Sequence, residues 1–221
     1  MRYTGLVSVL STVSVVDALA QRLREEVLDG EIAPTATVAE TEVAARFGVS
    51  RPTAKGAIVT LVNSGLLRRE ANRPAYVPAL TPDDILDIYR VRIPLEVEAT
   101  RILAGQRAIL TEAEAAVTEL EGLFDHAPTS QLIAADLRFH RAVIASVGSP
   151  RLNRHYSQIL DEIHLTMRQS RYALGAERIG REHGLVLEKI RAGDASRAAE
   201  GMRTHLEGAA QALAEMLAAS S

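Results

Sequence analysis

The 221-residue chain contains no cysteine. Disulfide cross-links are therefore excluded, and so is any thiolate metal site; a bound metal would have only His, Asp and Glu as ligands. No apolar run approaches the roughly 20 residues that cross a bilayer as a helix. Residues 1–16 are mildly apolar but carry Arg2 as their one charged group and lack a signal-peptide layout. A cytoplasmic protein with no membrane contact is expected. Net positive charge is also missing: 25 Lys/Arg against 28 Asp/Glu leave −3, which by itself argues against a nucleic-acid partner. There is no internal repeat and no low-complexity tract. What is present is ordinary globular composition, 47% apolar, with a length that suits one large or two modest domains.

The distribution of charge reverses the first impression. Residues 1–78 hold nine Lys/Arg and eight Asp/Glu, and residues 79–221 hold sixteen and twenty. Within 46–73 lie six bases (Arg46, Arg51, Lys55, Arg68, Arg69, Arg73) and the single acid Glu70, a local charge of +5. Phosphate contacts supply most nucleic-acid affinity, so a basic window on an acidic chain suits a DNA-reading face. A solvated surface run would look the same by charge alone.

The pattern of elements favours DNA. Apolar residues at helical spacing predict a helix over 15–28, stopped by Asp29-Gly30. A short helix follows over 40–47, packing through Val43, Ala44 and Phe47, with Gly48 placed for a left-handed exit. Ser50 can cap a helix over 51–63, with Pro52 in its first turn, where a missing N–H costs nothing. Residues 66–69 and 75–77 read as two short strands of a hairpin with 70–74 at its tip. Helix, glycine turn, helix and basic hairpin form a winged helix-turn-helix. Its second helix would enter the major groove with Arg51, Thr53 and Lys55. Arg68, Arg69 and Arg73 would flank the backbone or a minor groove, and Arg46 and Ser50 complete the DNA-contacting set. The division expected is an N-terminal arm (1–14), a DNA-binding domain (15–78) and an all-helical domain (79–221).

No strand signal occurs beyond Leu80. Thr81-Pro82-Asp83-Asp84 opens the first of six helical segments, roughly 82–104, 111–125, 129–146, 149–173, 176–192 and 194–218, with a kink expected at Pro94. The fold class is mainly α, a winged helix-turn-helix followed by a helical bundle.

Four polar residues fall on the apolar faces of these helices. Asp136 and His140, four apart, project from one face beside Ile133, Leu137 and Ile144. His183 falls among Ile179, Val186, Leu187 and Ile190, and His205 among Ala198, Met202 and Ala209. Buried without partners, each would cost on the order of 1–3 kcal/mol. A divalent metal held by three imidazoles and one carboxylate would satisfy all four and leave coordination positions open. Zinc suits this set best, with nickel or manganese as alternatives. Core histidines satisfied by hydrogen bonds are the competing reading. His126, His155 and His164 lack such placement and read as surface or structural residues.

The runs Val27-Leu28-Asp29-Gly30-Glu31-Ile32-Ala33-Pro34 and Ala44-Ala45-Arg46-Phe47-Gly48-Val49-Ser50-Arg51 resemble the GntR family of bacterial regulators. Tyr89-x-x-Arg92, Leu95-Glu96, Asp136-x-x-x-His140, Glu182-His183, Ala192-Gly193-Asp194 and His205-Leu206 resemble the FCD effector domain of its FadR-type branch, and six effector helices suggest the shorter, VanR-like form. The resemblance implies homodimers on a double-stranded operator. It also implies a metal held by Asp136, His140, His183 and His205, and a small carboxylate effector reaching that metal with help from Arg92. One stretch departs from the family: Ser50-Arg51-Pro52-Thr53-Ala54-Lys55-Gly56-Ala57 exchanges Thr and Pro, has Lys for Arg, and has Gly56 where Glu is usual. Lys lacks the planar fork of Arg, and Gly56 lowers helix propensity by about 1 kcal/mol relative to Ala.

The function expected is a ligand-responsive transcription factor, a repressor, with no catalytic residues. The linker 78–82 and the helix that starts at Pro82 would couple effector to DNA. Two other readings are a DNA-binding dimer without metal or with a non-carboxylate effector, and a helical metalloenzyme, which would need a general base beyond the four ligands.

Overall fold

The computed structural model describes residues 14–123, 127–170 and 175–220. The expected arm (but for Ser14), His126, and the expected helical residues 124–125 and 171–173 lie outside them. The order of elements is α1 (Val15–Asp29), β1 (Thr37–Val38), α2 (Glu40–Phe47), α3 (Arg51–Asn63) and β2 (Ala75–Tyr76). These are followed by α4 (Pro82–Gly105), α5 (Thr111–Gly122), α6 (Thr129–Ser146), α7 (Pro150–Gln169), α8 (Ala176–Ala192) and α9 (Ala195–Ser220).

Local chemistry sets the helix ends. The Ser14 and Ser50 hydroxyls accept from the amides of Asp17 and Thr53, satisfying donors the helix leaves open. Gly48 ends α2 at φ +64°, a conformation that costs glycine nothing. Thr81 and Asp84 form a reciprocal capping box at the start of α4. That helix then runs unbroken through Pro94.

The wing differs from the hairpin expected. β2 pairs antiparallel with β1, Thr37 opposite Tyr76 and Val38 opposite Ala75. Residues 66–69 do not form a strand and contribute one bridge, Arg68 to Tyr76. The reason lies in burial. Leu66 and Leu67 are consecutive and both enclosed in the core, so the backbone there does not alternate as a strand must. A two-residue strand such as β1 carries no readable period.

Gly56, read from sequence as a weak point of α3, has a packing role. A Cβ built there would lie 3.1 Å from Val16 Cγ1 on α1, so the missing side chain lets α1 and α3 close on each other.

In the C-terminal bundle α9 lies along α4, α5 packs on α6 and α8, and α7 packs on α6 and α4. Residues Ile85, Leu103, Phe139, Ile144, Ile163, Ile190, Met202 and Leu213 form its apolar interior.

Candidate metal centre and nucleic-acid interface

Helices α6, α8 and α9 each bring one histidine to the same point. His140 and His183 are fully enclosed and His205 nearly so. Their Nε2 atoms form a triangle: His183 to His205 3.0 Å, His183 to His140 3.2 Å, His205 to His140 3.4 Å. Asp136, one turn before His140, places carboxylate oxygens 3.8 Å from His140 Nε2 and 3.5 Å from His183 Nε2. Asp136 is only 3% exposed, yet no hydrogen bond reaches its carboxylate among the described residues. Phe139 stacks on His183 at 4.0 Å between ring centroids and fixes its plane.

Two carboxylates set the tautomers. Glu96, wholly buried on α4, accepts from His140 Nδ1 (2.5 Å), Tyr156 Oη (2.6 Å) and Arg92 Nε (2.6 Å). Glu182 accepts from His205 Nδ1 at 2.9 Å. An ionised carboxylate only accepts, so both imidazoles carry a proton on Nδ1, and the neutral form of either ring turns an Nε2 lone pair inward. Burial alone would raise the Glu96 carboxyl, but Arg92 and His140 override it and hold it well below the usual range. The hydrogen bond with His205 holds Glu182 at about 2. Burial, only partly offset by Glu96, lowers His140; burial and then the neighbouring His205, His140 and Arg92 lower His183. Both shifts favour neutral rings, the form that ligates metals.

Hydrogen bonds alone do not satisfy this cluster. With His140 and His205 both presenting lone pairs, His183 Nε2–H can donate to only one of them. The other lone pair and the His183 Nδ1, which has no hydrogen-bond partner among the described residues, are then left in the core beside the Asp136 carboxylate.

Arg92 is enclosed beside this cluster. Its Nε donates to Glu96 and its Nη1 to Tyr89 Oη at 2.8 Å; its buried Nη2 has no hydrogen-bond partner among the described residues. The sequence pattern assigns no role to Glu96, Glu182 or Tyr156. Glu96 follows Arg92 by one helical turn and Glu182 adjoins His183, a weak signal for each. Tyr156, on a separate helix, carried none.

In the N-terminal part Arg51 and Lys55 are exposed on α3 and make no ion pair among the described residues. Ser50 is exposed, its hydroxyl shared with the Thr53 hydroxyl. The other bases of the expected set are engaged: Arg46 with buried Glu26, Arg68 with Asp84 at 2.7 Å, Arg69 with Glu40 at 3.3 Å and Arg73 with Glu70 at 3.0 Å. A cleft of about 360 Å³, lined by Glu40, Arg51, Arg69, Asn72 and Arg73 among others, separates the start of α3 from the wing.

Residues 16–77 match the family of bacterial regulatory proteins described as the gntR family, and residues 87–208 match the FCD domain. The chain is a GntR-family regulator with an FCD domain. This DNA-binding transcriptional regulator is 28% identical to the HTH-type transcriptional regulator BphR of Paraburkholderia xenovorans (strain LB400), over 88% of this chain and 83% of that protein. A GntR transcriptional regulator from Rhodococcus sp. RHA1 superposes with a TM-score of 0.79 at 23% identity, over 91% of this chain and 98% of the other. The Zn2+-bound FCD domain of TM0439 superposes with a TM-score of 0.51 at 24% identity, over 63% of this chain and 95% of that domain. The regulator's family and relatives control transcription and are not enzymes. No helix among its described residues is long and apolar enough to cross a membrane.

Proposed function

We propose that this regulator is a cytoplasmic homodimer and a repressor. In this reading residues 15–78 grip a double-stranded operator, and residues 79–221 hold one divalent metal and a small carboxylate effector. The observation that carries it is the convergence of three Nε2 atoms beside the buried Asp136 carboxylate, which accepts no hydrogen bond among the described residues. Two ligands 2.0–2.1 Å from a tetrahedral zinc stand about 3.3 Å apart, and the three nitrogen separations of 3.0–3.4 Å match that spacing. Asp136, His140, His183 and His205 would hold the ion. Zinc suits this donor set best, and the Zn2+-bound FCD domain of TM0439 supports that choice; nickel and manganese accept the same ligands. When bound, the ion would supply a fixed positive charge, and an anionic ligand would reach it by raising the coordination number above four.

The unpartnered Nη2 of Arg92 is a buried cationic donor suited to the effector's carboxylate. On the DNA side Ser50, Arg51 and Lys55 are exposed and Thr53 half-buried, whereas Arg46, Arg68, Arg69 and Arg73 would have to exchange their carboxylates for phosphates. Dimerisation follows from the small reach of one recognition helix, which reads only a few base pairs.

The test is metal content by mass spectrometry on untagged wild type and His140→Ala. About one equivalent in wild type, lost in the variant, is expected for a single structural site. No metal in either, after incubation with zinc, nickel and manganese in turn, overturns the metal-centred reading and leaves a DNA-binding dimer.

A further inference from the structure

Helix α7 reaches Glu96, the hydrogen-bond partner of His140, from near one end and the DNA-binding part from the other. Near its start, fully buried Tyr156 donates to Glu96 Oε1 at 2.6 Å, and the other Glu96 oxygen accepts from His140 Nδ1. Further along, Asp161 pairs with Arg24 of α1 at 2.7 Å. Glu162 packs so closely on Gly65 that a Cβ there would lie 2.4 Å from its carboxyl carbon. Arg168 Nη2 donates to the Asp29 carbonyl at 2.5 Å. The Gln169 amide brackets the linker, donating to the Pro78 carbonyl at 2.8 Å and accepting from the Leu80 amide at 2.9 Å. From Tyr156 to Gln169 the helix spans about 20 Å at 1.5 Å per residue. Beside its far end lies a cavity of about 580 Å³ whose lining includes Val27, Ile32, Leu80, Leu165, Arg168 and Gln169, so the two parts have room to shift.

We propose that Tyr156 is the positioning residue through which α7, and with it the DNA-binding part, is tied to occupancy of the three-histidine centre. This rests on the metal reading above. Ligation at Nε2 fixes the His140 ring, and its Nδ1–H then fixes one oxygen of Glu96. The opposite oxygen holds the Tyr156 hydroxyl, and Tyr156 is part of a rigid helix whose last turn grips α1 and the linker. The covalent route through the linker and α4 thus has a second, non-covalent route beside it. An equilibrium shifts only when a ligand interacts differently with the two states; here the difference lies in whether the Tyr156–Glu96–His140 chain is held or loose.

The absence of cysteine in the chain permits a clean test. Spin labels at Ala45→Cys and Glu188→Cys, both exposed positions, report the distance between the two parts by pulsed EPR on the full chain, with and without Zn2+ as the only added ligand. Zn2+ binding is measured in parallel by equilibrium dialysis. Wild type should bind Zn2+ and shift or narrow the distance distribution by about 2 Å or more, the scale of helix displacements in switching proteins. Tyr156→Phe, which keeps the ring and removes only the hydroxyl, should still bind Zn2+, losing less than the roughly tenfold or more that removal of a ligand's direct partner costs, and should lose the change. Arg168→Ala combined with Gln169→Ala, remote from the centre, should do the same, and this pair decides the matter if Tyr156→Phe does not fold. A full response in a folded Tyr156→Phe, or Zn2+ binding by wild type with no change in distance, overturns the proposal. Failure of wild type to bind Zn2+ overturns the metal reading itself and this inference with it.

Discussion

Glu96 Oε2 lies 2.5 Å from His140 Nδ1, although the two residues come from different helices and neither reaches solvent. This contact decides which nitrogen of His140 faces the other two histidines. Glu96→Gln should preserve the fold and weaken Zn2+ binding 10–100-fold, the usual effect of removing an outer partner of a ligating histidine. Competition with a zinc chelator measures it. Unchanged affinity would mean that His140 holds its tautomer without Glu96.

The contact between Gly56 and Val16 makes a second prediction. In an open helix Gly→Ala gains about 1 kcal/mol. At position 56 the added methyl would crowd Val16 Cγ1 at 3.1 Å, so Gly56→Ala should give no gain in stability. In a Val16→Ala background the same change should stabilise by up to about 1 kcal/mol. Denaturant unfolding of the four chains measures the coupling; additive effects would contradict the packing explanation.

His164 supplies a pH dependence. Burial lowers its pKa from 6.5 to about 4, so the folded state holds a neutral ring where the unfolded chain takes up a proton. The stability it contributes is complete above pH 6.5 and declines as pH falls toward about 4. Between pH 7 and pH 5, wild type should lose about 1–2 kcal/mol more than His164→Asn. Equal losses in urea melts at the two pH values would show that His164 is not the group responsible.

The bases of the N-terminal part should separate into two classes. Arg51→Ala and Lys55→Ala should each weaken binding to duplex DNA and reduce its salt dependence by about one unit of slope. Arg46 is bound to buried Glu26, so Arg46→Ala should act first on stability, by about 1 kcal/mol, and show a smaller change in salt slope. Titrations at several salt concentrations, paired with thermal melts, distinguish the two. A stable Arg46→Ala with the larger slope change would place Arg46 at the DNA instead.

Much of this architecture was legible in the one-dimensional pattern. Helix starts were marked by Ser50 and Thr81, stops by Gly30 and Gly48, and inward faces by 3.6-residue spacing, because caps and amphipathic stripes are local properties. Three histidines and one aspartate interrupting apolar stripes were visible for the same reason, and the triangle of Nε2 atoms lies where those stripes meet. The short wing strand β1 and the loss of a strand at 66–69 were not visible, since two-residue pairing is decided by what lies opposite in space.

The sequence by itself determined the order and faces of the helices, the basic window on an acidic chain and the inventory of possible ligands. Tertiary structure alone decided which of those ligands meet and what orients them. Glu96, Tyr156 and Glu182 acquire their roles only when α4, α7 and α8 pack, because a buried hydrogen bond across helices leaves no periodic trace along the chain. The same packing turned Gly56 from a weak helix position into a point of close approach, and bound Arg46, Arg68 and Arg69 to carboxylates on other elements. Spacing along a chain records which face a residue occupies; the partner it finds there is fixed by distances between segments far apart in sequence.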